Sequence, residues 1–142
     1  MGKSTSYANS LLALIFNATT FANVAINATA SPITNIFVSL HTADPGTSVD
    51  QTTSEIGYTS YARVAVARTS GGWTVSTNTV VPVSTITFPA GTGGSGTATH
   101  CAYGSLVSGA GVRFVSGTVT PNIVCGNGVT PSLSTATTLT ET

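Results

Sequence analysis

The chain has 142 residues, four basic and four acidic side chains, two cysteines, one tryptophan and no formal net charge. Charged residues make up only 6% of it, against ~25% in an ordinary soluble domain. Thr (27), Ser (17) and Val (15) are abundant instead. This argues against nucleic acid as a partner, because counterion release needs clustered cations and Lys3, Arg63, Arg68 and Arg113 are scattered. It argues equally against a membrane span, since the longest apolar run, residues 11–16, is far short of ~20.

The length fits one domain. Hydroxyl groups must do the solvating that charges usually do, and β-branched Thr and Val suit strands. Free copies with almost no charge repel each other weakly, which favours an assembled state.

In chain order, residues 1–32 read as an N-terminal arm with a short helix, and residues 33–142 as a β-domain. Asn9 or Ser10 is placed to cap a helix running to about Phe16, with Leu11, Leu12, Leu14 and Ile15 on its apolar side. Pro32 stops any continuation. Residues 35–41 (NIFVSLH) read as a strand. Residues 42–55 form a loop marked by Asp44-Pro45-Gly46. Residues 61–68 (YARVAVAR) give the cleanest strand pattern.

Further strands are expected over 73–76, 79–83, 85–88, 97–103, 112–116, 119–124 and 134–141. Turns at Ser70-Gly71-Gly72, Ser108-Gly109-Ala110-Gly111 and Gly126-Asn127-Gly128 separate them, with a glycine-rich loop at 90–96. About eight short strands at this spacing predict an all-β fold, a single antiparallel sandwich or jelly roll with a short N-terminal helix or arm.

The residues offer little chemistry. His41, His100, Asp44, Cys101 and Cys125 are the plausible metal ligands, and no pair has zinc spacing, so neither metal nor cofactor is expected. Asp44 is better read as capping its own turn. His100 and Cys101 are strand neighbours and face opposite ways, which works against a Cys–His dyad. No G-x-S-x-G occurs, and Asp50 and Glu55 share a loop with Asp44. The chain is therefore read as no enzyme.

The glycines of 91–96 lack the Gly-Lys-Ser/Thr of a phosphate loop and read as a flexible connection. Cys101 and Cys125 read as buried free thiols, with a cross-strand disulfide left open. Arg63 and Arg68 face opposite ways by parity. One is expected to pair with Asp44, Asp50 or Glu55, and the other to meet a partner chain. With Arg113, Leu11, Leu12, Ile15 and Phe16, they are the candidate contact residues.

Four segments in this order carry a resemblance: the short helix before residues 36–46 (IFVSLHTADPG), then 61–68 (YARVAVAR), 86–100 (ITFPAGTGGSGTATH) and 128–139. The chain resembles small structural proteins of tailed-bacteriophage virions, and is similar to jelly-roll capsid cement (decoration) proteins of short-tailed phages. That resemblance implies a protein made in the host bacterial cytoplasm that binds the capsid exterior and stabilises the shell against DNA pressure. Its implied partners are the major capsid protein and itself, as a homodimer rather than a trimer. The alternatives are a tail-fibre or tail-tip component contacting the host, and a carbohydrate-binding β-sandwich using Trp73, Tyr58, Tyr61 and Tyr103.

Overall fold

The structure, a computed structural model, describes residues 3–27, 31–47 and 50–141. Parts of the expected arm (1–2 and 28–30) and loop (48–49) therefore lie outside the described residues. The elements are α1 (Thr5–Asn17), β1 (Asn35–His41), β2 (Val64–Ala67), β3 (Trp73–Ser76), β4 (Thr79–Pro82), β5 (Ile86–Thr87), β6 (Ser95–Gly104), β7 (Arg113–Gly126), β8 (Ser132–Leu133) and β9 (Leu139–Thr140). The fold is all-β with antiparallel ladders and one short N-terminal helix, as expected.

The chain divides into two compact units. Unit 1 takes residues 1–35, 67–85 and 133–142, and unit 2 takes 36–66 and 86–132. Unit 1 therefore joins the N-terminal segment to two later segments of the chain.

In unit 1, α1 starts earlier than expected. Ser4, not Asn9 or Ser10, is the N-cap, and its hydroxyl accepts from the Tyr7 amide at 3.2 Å. Ala8, Leu12 and Phe16 repeat every four residues, so they share one face and are buried. Phe16 meets Trp73 of β3 edge to face, ring centroids 5.0 Å apart. The helix thus contributes to a core. The sheet here runs β3-β4-β9. Ser76 pairs with Thr79 across a two-residue turn whose first residue, Thr77, takes a positive φ of 55°, as tight hairpins require.

In unit 2 the sheet order is β2-β1-β6-β7. β1 alternates as expected: Ile36, Val38 and Leu40 are buried on one face, and Ser39 and His41 are buried on the other. The two strands expected over 112–124 are one long strand. Its register with β6 jumps from His100↔Thr118 to Ala98↔Ile123, so residues 119–122 bulge out opposite Thr99.

The glycine-rich loop is laced down, contrary to the flexible connection expected. Thr59 donates to the Gly93 carbonyl, Gly91 to that of Val129, and Gly128 to that of Gly91. Gly91 has no room for a Cβ, because the Gly126 backbone occupies that space.

Candidate functional site

The rare charges mark the built parts of the molecule. In unit 2, Arg63 precedes β2 and is 6% exposed. Its Nε and Nη2 donate to the two carboxylate oxygens of Glu55, each at 2.7 Å. Nη1 donates to the Leu106 carbonyl and Nη2 also to that of Gly109, both at 2.9 Å. Tyr61 donates its hydroxyl to Glu55 at 2.9 Å and accepts the Leu40 amide at 3.1 Å. The bond to Glu55 holds the Arg63 pKa above its ordinary value, and burial raises that of Tyr61. Both keep their ordinary protonation.

The same loop is gripped from a second side. The wholly buried Gln51 accepts the Leu106 amide on Oε1 at 3.0 Å, and its backbone N–H donates to the Gly111 carbonyl at 3.2 Å. Gly104 and Gly111 are obligatory, because a Cβ on either would collide with the Gln51 side chain. Ser105 and Val112 close the base through two bonds of 2.9 Å.

The product is a fixed hairpin end between β6 and β7. A planar guanidinium fork on a carboxylate supplies geometry that a flexible cation does not. What the fixed loop presents is apolar: Val107 is 59% exposed and Val112 66%, with Leu106 beside them.

In unit 1, Arg68 ties down the end of α1. Its Nε donates to the Ile15 carbonyl at 2.5 Å and Nη2 to that of Leu14 at 2.6 Å. Nη1 reaches Asn27 Oδ1 at 2.7 Å and the Ile33 carbonyl at 3.0 Å. A cation on the last carbonyls of a helix meets both their unsatisfied acceptors and the negative end of the dipole.

The candidate contact residues therefore divide. Leu12, Phe16, Arg63 and Arg68 are buried, whereas Leu11, Ile15 and Arg113 are half-buried. Arg113 donates to the Gly46 carbonyl and, at 3.4 Å, to Ser116. The expected pairing of one arginine with a loop carboxylate is met by Arg63 and Glu55. The expected turn cap is met by Asp44, which accepts the Gly46 amide at 2.9 Å.

One polar pair was not read from the sequence. His41 donates from Nδ1 to the Thr53 carbonyl at 2.8 Å, which makes Nε2 the acceptor for the Ser39 hydroxyl, also at 2.8 Å. Burial pushes the His41 pKa down, so the ring is neutral. A serine on a neutral imidazole is the start of a nucleophile. Here both residues are wholly buried and Nδ1 faces a carbonyl in place of a carboxylate. The signal was their shared strand parity, i and i+2.

Cys101 and Cys125 are free and buried, and burial raises both thiols. Trp73, Tyr58 and Tyr103, three aromatics of the carbohydrate-binding reading, lie buried in the cores. Among the described residues no three His, Cys, Asp or Glu side chains come together as a metal site.

Residues 2–139 match the protein-family model described as Podophage GP4 fiber I protein gp80. The chain belongs to this fiber I family. It is thus a virion structural protein of the short-tailed phage type. The family's description names a fibre, where the sequence had pointed first to a capsid cement. No curated protein gives a match.

Proposed function

We propose that this chain is a structural subunit of a tail fibre of a short-tailed phage, and that it works by holding shape and binding other virion proteins, without covalent chemistry. The observation that carries this reading is the fiber I match over residues 2–139. It favours the tail alternative over the capsid exterior and the major capsid protein.

The chemistry of the chain suits the role. Arg63, Glu55, Arg68 and Arg113 are engaged in internal bonds, so what faces outward is mostly hydroxyl and aliphatic. Contacts built from such groups vary little with salt, because screening acts on charges.

Copy number tests the reading. Quantitative mass spectrometry of purified particles, with gold-labelled antibody to this chain, is expected to find a few to tens of copies, all at the tail. Hundreds of copies spread over the shell would overturn it in favour of a cement protein.

A further inference from the structure

In unit 2, His41 holds the segment that fixes the β6–β7 hairpin end. Residues 51–56 lie along the end of β1, with the Thr42 amide on the Ser54 carbonyl at 2.8 Å and the Ile56 amide on the Leu40 carbonyl at 2.9 Å. Beside these bonds, His41 Nδ1 donates to the Thr53 carbonyl at 2.8 Å. Gln51 and Glu55 flank Thr53 and supply both grips on the hairpin end. Gln51 holds the Leu106 amide and the Gly111 carbonyl, and Glu55 orients Arg63, which holds the Leu106 and Gly109 carbonyls. Lifting residues 51–55 off His41 therefore removes both grips together.

The closed arrangement suits only the neutral ring. His41 and Ser39 are wholly buried, and the Ser39 hydroxyl donates to Nε2 at 2.8 Å. A second proton, on Nε2, turns that acceptor into a donor. Ser39 must then send its own proton to the Ala102 carbonyl, 3.4 Å away, a long O–H···O contact. The charge also lacks a free partner. Arg63 and Arg113 repel it, and Glu55, which attracts it, is already bonded to Arg63 and Tyr61. His100 stands directly opposite on β6. A buried charge so placed costs free energy that contact with water removes.

Two features of the segment favour opening. Ser54 holds a φ of 56°, a left-handed conformation unfavourable for a residue with a Cβ. Gln51 Nε2 is buried with no hydrogen-bond partner among the described residues, and water would supply one.

We propose that His41 is a latch: neutral, it holds residues 51–55, and through them the hairpin end, closed; protonated in mild acid, it releases both. The released end carries the exposed Val107 and Val112, so acid loosens an apolar surface that is rigid at neutral pH. The latch lies within one chain and acts whether the copies stand in a fibre or on a shell. Its direction follows from burial, which lowers the His41 pKa and outweighs the Thr53 carbonyl and Glu55. The open segment, with the ring in water, binds the proton more readily, so opening grows as pH falls below about 6.5.

The test is hydrogen exchange of the full chain, read as protection of the Gln51 and Leu106 amides, which report the grip directly. From pH 7 to pH 5, above the ordinary carboxylate range near 4, protection at both is expected to fall several-fold, up to about 20-fold. The fall should be the same in water and in ~1 M urea, since a local opening exposes little surface. His100→Gln should keep this pH dependence. His41→Gln, whose amide can donate to Thr53 and accept from Ser39 without titrating, should lose it. Wild-type protection that is unchanged between pH 7 and pH 5 overturns the proposal. So does a fall that steepens with urea, which would mean that unit 2 unfolds as a whole. A pH dependence that survives in His41→Gln, or is lost in His100→Gln, overturns it too. The wild-type measurements decide the matter even where His41→Gln does not fold.

Discussion

Arg63 shows how one side chain sets a shape. It is the common donor to Glu55, Leu106 and Gly109, and it is almost wholly buried. Removing one partner of a buried pair leaves the other uncompensated, a loss of about 3–5 kcal/mol. Arg63→Met is therefore expected to lower the unfolding free energy by about 3 kcal/mol in urea titration and to raise hydrogen exchange at residues 105–111. Arg63→Lys should rescue it only in part, because an ammonium lacks the fork. Unchanged exchange in the loop would count against the anchoring role.

His41 makes a pH prediction at the same scale. Desolvation lowers its folded pKa, outweighing the Thr53 carbonyl and the Glu55 charge, which raise it. The unfolded chain, near 6.5, then binds the proton more readily. The contribution is complete above about pH 6.5 and is lost as pH falls from there towards the folded value. Stability should fall below pH ~6.5 with a slope of up to about 1.4 kcal/mol per unit. In His41→Gln that slope should flatten, whatever the variant's absolute stability. Parallel profiles for the two proteins would contradict it.

Among the elements, α1 carries the sharpest expectation. Its buried face is Ala8, Leu12 and Phe16, with Phe16 against Trp73. Phe16→Ala should cost about 3–5 kcal/mol and Ser4→Ala about 1 kcal/mol, both read from denaturant midpoints. A Phe16→Ala protein of wild-type stability would mean that the helix is a free arm after all.

The strands were legible where alternation and turns agree: β1 and β3 fall where the pattern puts them. The start of α1 was not, because Thr5, Ser6 and Tyr7 carry no apolar signal and only the Ser4 cap marks it. β7 read as two strands because Gly117 and Pro121 look like breaks, yet pairing with β6 continues past both. The Arg63–Glu55 pair was legible because so few charges exist to be matched. The Gln51 grip was hidden, since Gly104 and Gly111 lie more than fifty positions away and a glycine in a sequence does not announce which side chain needs its space.

For the whole molecule, scarcity of charge is the organising fact. Ionisable groups fix internal geometry, and neutral hydroxyl and aliphatic groups meet the surroundings. A subunit built in this way should keep its virion contacts when salt is raised. Particles washed in high salt at neutral pH are expected to retain the protein, and its release by salt would place charge at the contact.

The most direct measurement is cryo-electron microscopy of the intact particle at a resolution that traces strands. The account predicts density for this fold in tail fibres. Density for it on the capsid exterior, and none at the tail, would contradict the account.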